Sequence, residues 1–237
     1  MRRVVLFHMW SLDGVAEEPG DWVFDVDQAV FDNIAEVIGS QDAVLLGRGT
    51  YDYWSGHWPN EGEEPFRSFI NATTKHVFTS RPLDARWSNS VVVGARAETY
   101  VRDLKERDGG DIGIHASVGL AKSLHDAGLI DDYRLLIAPT FAGRGYRMFD
   151  GQQELRRLEL VDSQATRPGR YFCTTATASF WASCPRRPLR GTRRRTRRNP
   201  LRDRQGRRSD PRSSRPPRRL RPSYRRSPAC AGPPSDS

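Results

Sequence analysis

The sequence predicts an α/β domain with a mostly parallel sheet, helices on both faces and an antiparallel C-terminal edge, followed by a disordered basic tail. Three observations lead there. Over the first 180 residues short apolar runs alternate with longer segments of helical period, so strands and helices take turns along the chain. The last two apolar runs follow each other with no helical segment between them, which suits antiparallel neighbours. Beyond residue 180 the composition changes: residues 181–237 hold 19 of the 38 basic residues, only three acids and 10 of the 16 prolines. With no Lys, Glu, Val, Ile, Phe, Met or His, that stretch has almost nothing to bury against the entropy of ordering. The expected division is a folded domain over 1–180 and a disordered Arg/Pro-rich tail over 181–237.

Element by element, the first run, 3–9 (RVVLFHM), reads as a strand. Its basic residues and short apolar stretch stop at SLDG with no small-residue cleavage site, so a signal peptide is not expected. A helix at about 27–39 follows, with Asp25 and Asp27 at its start, Ala29, Val30, Ile34, Val37 and Ile38 on its apolar stripe and Gly39 as its stop. Strand 43–47 and helices at about 49–55 and 64–71 come next, then strands 75–79 and 90–93 and a helix at about 97–107. Strand 111–115 leads into a helix at about 117–127, with Ser117 as N-cap, Leu120, Ala121 and Leu124 inward and Gly128 closing it. Strand 132–139 and weaker strands near 155–163 and 171–180 complete the domain.

Charge is segregated. The tail carries a net +16 and the first 180 residues a net −7, so the overall +9 describes neither part. An arginine-rich tail of this kind has two readings: an arm that folds on RNA or DNA through counterion release, or an out-of-frame, functionless extension. A nucleic-acid-binding domain would continue its basic face into the fold, and this one reverses sign, so nucleic-acid contact is expected only non-specifically through the tail. Cys173, Cys184 and Cys230 form no C-x-x-C pair and two of them lie in the tail, so neither a disulfide framework nor a zinc knuckle is supported and a reducing compartment is expected. No run approaches the ~18 apolar residues of a membrane helix, so no membrane partner and a cytoplasmic location are expected.

Three strand-to-helix junctions could hold an anion. In AVLLGRGTYDYW, Gly47 lets the chain turn while the next helix points free N–H groups outward beside Arg48 and Thr50; a plain tight turn is the alternative. In VFTSRP, Ser80 and Arg81 suit a phosphate monoester such as the 2′-phosphate of NADPH, or form a solvated turn. In GIHASVGLAKSL, the small residues Ala116, Ser117 and Gly119 let a pyrophosphate approach a helix N-terminus, which is otherwise ordinarily capped. Three such junctions in one α/β domain point to a dinucleotide across the carboxyl ends of the strands.

SLDG after the first strand, LLGRGTYDYW, VFTSR, the loop before LAKSL and GLIDDYRLLIAPTFAGRGYRMFD, in that order, resemble the dihydrofolate reductase-like superfamily. The nearest branch is the C-terminal reductase domain of the bifunctional riboflavin-biosynthesis protein, over roughly residues 2–170. The resemblance implies NADPH, held by Gly47, Arg48, Thr50, Ser80, Arg81, Ala116, Ser117 and Gly119, and reduction of a pteridine-like or aminopyrimidine substrate. It also implies a homodimer. Asp13 is the first candidate for substrate contact, with a turn-shaping role as its alternative. Asp27 falls where a dihydrofolate reductase keeps its pterin-binding carboxylate, a place where helix-capping acids are also common. Trp22 is ranked above Trp54 and Trp58 for stacking on a flat heterocycle. His8, His57, His76, His115 and His125 lack metal spacing, so no metal is expected. Two departures stand out: Ala116 occupies a position usually glycine, and the family pattern fades at about Arg170, where a frame slip would leave the closing strand missing or improvised.

Overall fold

Strand β1 (Val4–Trp10) lies inside an eight-stranded sheet, and its Val4, Val5, Leu6 and Phe7 are all buried, as a strand covered on both faces requires. The computed structural model describes residues 1–84, 86–150, 155–166 and 169–177; the expected tail at 181–237 and the boundary at 180 lie outside the described residues. The remaining strands are β2 (Gln41–Gly47), β3 (Thr74–Phe78), β4 (Ser90–Val93), β5 (Asp111–His115), β6 (Asp132–Ile137), β7 (Leu158–Ala165) and β8 (Tyr171–Thr177). Their spatial order is β4-β3-β2-β5-β1-β6-β8-β7. From β4 to β6 all neighbours are parallel, and β8 and β7 close the sheet antiparallel.

Alternation along the strands divides the core between two helical layers. Val4, Leu6, Leu45 and Ile114 pack with Val101 and Leu104 of α4 (Ala97–Glu106) and with Ala121 and Leu124 of α5 (Val118–Asp126). On the other face Val5 and Phe7 meet Val37 of α1 (Gln28–Ile38). Val44, Leu46 and Val77 meet Tyr51 of α2 (Arg48–His57) and Ile70 of α3 (Phe66–Ala72). In α4 and α5 the inward residues are three apart, which puts them on one face of a helix. Every element expected from the sequence is present.

The weaker strand expected near 171–180 is present over its described part. Despite its small residues, β8 forms over Tyr171–Thr177 and sits between β6 and β7, with Phe172, Thr174 and Ala176 buried. Phe172 packs under Val30 of α1 beside Leu136, so one large side chain and a pleated row of small ones suffice there. Arg170, where the family pattern fades, is itself 1% exposed and belongs to the fold.

Ion pairs gather at the amino end of the parallel strands. Arg2 pairs with Asp42, Arg3 with Asp111 and Asp132, and Lys105 with Asp131 at 2.6 Å. The opposite, carboxyl end carries the loops and junctions that follow.

Candidate active site

The chain leaves β2 toward β3 on one side and β5 toward β6 on the other, so the crevice between β2 and β5 is the topological switch point where ligands of open α/β sheets bind. Two strand-to-helix junctions interlock there. The Gly47 N–H donates to Ser117 Oγ at 3.1 Å, and the Ser117 N–H donates to Thr50 Oγ1 at 3.2 Å. Ala116 and Ser117 both hold the left-handed conformation, with φ of 51° and 49°, which is costly for residues with a Cβ. Ser117 occupies the N-cap of α5, but its hydroxyl serves Gly47 rather than its own helix, so no side chain caps the first N–H groups of α5. A Cβ on Gly119, in that first turn, would meet nothing within 4 Å.

At the first junction the structure adds two details. Gly47 has an ordinary φ of −76°, and a Cβ there would find its nearest neighbour at 3.9 Å, so the turn itself does not require glycine. Arg48 is not free for an anion: Nε meets the Asp52 carboxylate at 2.6 Å, Nη2 meets Asp84 at 2.6 Å and Nη1 donates to Pro82 O at 2.8 Å. Its guanidinium ties the β3–β4 loop to α2, and the two carboxylates cancel its charge. Thr79 closes the turn after β3, its hydroxyl accepting from Arg81 N–H and donating to Arg81 O, which leaves the side chains of Ser80 and Arg81 exposed.

Asp13 is held by its neighbours. Its Oδ1 accepts from Ser11 Oγ at 2.6 Å and Ala142 N–H at 3.0 Å, and its Oδ2 from Gly143 N–H at 2.9 Å and Arg147 at 3.1 Å. The Ser11 hydroxyl and these N–H groups hold the carboxyl well below the usual range, so it stays ionised. A carboxylate with four donors fastens the 140–147 loop to the 11–15 turn and has no lone pair left for substrate. Asp27 differs. It is the N-cap of α1, about one-third exposed, and its Oδ1 pairs with buried Arg170 at 3.2 Å while Oδ2 makes no hydrogen bond among the described residues. Arg170 also donates to Phe24 O at 2.5 Å.

Trp22 is buried, donates Nε1–H to Glu17 O at 2.8 Å, and lines a cleft of about 630 Å³ with Phe24, Phe141, Arg144 and the carboxylates of Glu17 and Asp21. Trp54 and Trp58 instead pack edge to face with Phe66 in the α2–α3 layer. His115, directly before Ala116, is buried against Phe7, Phe66 and Phe69, which pushes its pKa down to about 3. It is neutral at any working pH and bonds Gln41 Oε1 through Nε2. His8 is likewise buried and lowered in pKa. Among the described residues no group of three His, Cys, Asp or Glu could hold a metal ion, and no helix is long and apolar enough to cross a membrane. Sequence reasoning missed Arg170, Arg147 and the exposed Phe24 and Phe141. Only their position in loops marked them, because each acts through contacts distant in sequence.

The family profile described as the RibD C-terminal domain matches residues 2–172. The chain belongs to that family. This RibD C-terminal domain is similar to the "Uncharacterized protein YyaP" of Bacillus subtilis (strain 168), 26% identical over 176 residues that cover 71% of this chain and 91% of YyaP. Its fold is similar to that of the diaminohydroxyphosphoribosylaminopyrimidine deaminase/5-amino-6-(5-phosphoribosylamino)uracil reductase of Thermotoga maritima. There the TM-score is 0.56 and the identity 19%, over 74% of this chain and 56% of that one. It is similar also to dihydrofolate reductase from Enterococcus faecalis complexed with NADP(H), with a TM-score of 0.50 and 15% identity over 73% and 95% of the two chains.

Proposed function

We propose that this RibD C-terminal domain is an NADPH-dependent reductase of a flat, nitrogen-rich heterocycle, pteridine-like or aminopyrimidine, of the riboflavin-pathway type. The interlocked 47–50 and 116–119 junctions at the switch point carry the reading, since they leave the first N–H groups of α5 uncapped with open space at Gly119. The reductase named in the T. maritima protein and the NADP(H) complexed with the E. faecalis enzyme support it.

Those N–H groups and Gly119 receive the coenzyme's pyrophosphate, Gly47 leaves room beside them, and Thr50, Ala116 and Ser117 hold the loop in shape. Ser80 and Arg81 lie at the neighbouring end of β3 with side chains exposed for the 2′-phosphate. NADPH, when bound, supplies a hydride to the heterocycle, and solvent supplies the accompanying proton. Asp27 orients the acceptor by taking a hydrogen bond from a ring or amino N–H on Oδ2, while Trp22 and Phe24 wall the heterocycle from water. Arg48 and Asp13 shape the site from behind. A cytoplasmic homodimer is part of the same proposal.

The test is a titration of the full chain with NADPH and NADH, followed through nicotinamide fluorescence, and then NADPH oxidation with a panel of dihydropteridines and ribosylaminopyrimidines with and without phosphate. Saturable NADPH binding and turnover of one panel member are expected. Failure of both coenzymes to bind contradicts the reading.

A further inference from the structure

The cleft around Trp22 has fixed walls and an uneven charge. One wall is the segment after the 11–15 turn and the other is the 140–147 loop. Leu12 N–H donates to Thr140 O at 2.8 Å and Ala16 N–H to Tyr146 O at 2.9 Å, so the backbone itself holds the two walls together. Glu17 is fixed between them, its carboxylate accepting from Tyr146 N–H at 3.3 Å and its carbonyl from Trp22 Nε1–H at 2.8 Å. Glu18 and Asp21 also line the cleft, beside Phe24 and Phe141, which are 61% and 74% exposed. Against these three carboxylates stands one lining cation, Arg144. The arginines that fasten the walls are already engaged, Arg147 by Asp13 and Gly143 O, and Arg170 by Asp27 and Phe24 O. A volume of about 630 Å³ suits a small heterocycle with a sugar-sized substituent. Exposed ring faces beside carboxylates suit an amino-bearing ring, because the acids accept its N–H groups and the aromatic faces attract positive charge. A phosphate ester would instead meet a surplus of like charge in a partly enclosed space, where water screens less than in bulk.

We propose that this cleft selects an unphosphorylated, amino-substituted heterocycle, and that Glu17, Glu18 and Asp21 turn away its phosphate esters. The inference rests on reading the chain as a reductase of such rings. The amino groups donate to Glu17 and Asp21, the ring lies against Phe24 and Phe141, and Arg144 offsets part of the acidic charge rather than anchoring an ester.

The test uses the full chain and a matched pair of probes, a ribosylaminopyrimidine and its 5′-phosphate. Dissociation constants are measured by calorimetry, and kcat/KM by NADPH oxidation, for wild type, Glu17→Gln/Glu18→Gln/Asp21→Asn and Arg144→Gln. The arginine-rich sequence beyond residue 180 is common to all three, so any phosphate it attracts cancels in the comparison. Wild type should prefer the unphosphorylated probe by about tenfold in kcat/KM. The triple variant should cut the ratio of the two dissociation constants, ester over unphosphorylated probe, by at least about fivefold, and Arg144→Gln should leave that ratio unchanged or raise it. These side chains are exposed, and glutamine at 17 keeps an acceptor for Tyr146 N–H, so the unfolding midpoint should not move. A wild-type preference for the ester that Arg144→Gln removes makes Arg144 an ester anchor and overturns the proposal. So does a ratio that the triple variant leaves as it was, or a chain that binds neither probe. A chain that binds the pair with the expected ratios yet oxidises no NADPH contradicts the reductase reading and leaves the selectivity of the cleft standing.

Discussion

Ala116→Gly tests the backbone of the site. Ala116 and Ser117 hold φ of 51° and 49° in succession, where a Cβ crowds the following carbonyl at a cost of roughly 1–2 kcal/mol per residue. Glycine removes that cost but adds about 0.5–1 kcal/mol of unfolded-state entropy. Ala116→Gly should therefore stabilise the domain by about 0.5–1 kcal/mol, which raises its unfolding midpoint by about 2 °C. Ser117→Gly relieves the same strain, yet strips the part-buried Gly47 N–H of its Oγ acceptor, and an unmet donor shielded from water costs about 1–3 kcal/mol. It should lower stability by about 1 kcal/mol. The two neighbours share a conformation and should shift the midpoint in opposite directions in paired thermal and urea unfolding of the full chain. A fall for Ala116→Gly, or a common shift for both, refutes the account of strain and interlock.

Further outcomes follow from buried and paired charges. His115 titrates at about 3 in the fold against an ordinary 6.5, so the unfolded chain binds the proton first and stability falls as pH drops from about 6.5 toward 3. About 2 kcal/mol is lost by pH 5, and urea midpoints of His115→Leu should fall less steeply than wild type, with His8 leaving a residual slope; parallel profiles contradict the assignment. Arg170→Met leaves Phe24 O and Asp27 without their donor and should cost about 2–3 kcal/mol. A cycle with Asp27→Asn should show coupling of about 1 kcal/mol, whereas additive losses mean no pair. Arg48→Ala should change the NADPH dissociation constant by less than about threefold, because its guanidinium is already bound; a tenfold loss returns it to the ligand.

The fold was legible because burial follows local pattern. Residues 3–9 read as a strand, and Leu120, Ala121 and Leu124 as the inner side of a helix, from local pattern alone. β8 was under-read because Thr174 and Ala176 give no hydrophobic signal; their place is set by Val30 and Leu136 packing over Phe172. The site was legible in its junctions and not in its charges. Ser117 was read correctly as an N-cap position, but whether its hydroxyl turns to its own helix or to Gly47 depends on β2 and β5 being neighbours, which no local window contains. The partners of Arg48 and Asp13 were illegible for the same reason. Asp84, Pro82, Ala142 and Arg147 reach them only once the loops are folded.

The central claim is that the open first turn of α5 receives the coenzyme's pyrophosphate, and Gly119→Glu tests it most directly. A side chain at 119 meets nothing within 4 Å, and an acid in the first turn of a helix favours the helix, so the variant should fold with unchanged or slightly higher stability. NADPH binding to the full chain, measured by nicotinamide fluorescence, should weaken by at least about tenfold through repulsion of the pyrophosphate. A well-folded Gly119→Glu chain that binds NADPH as tightly as wild type contradicts the account.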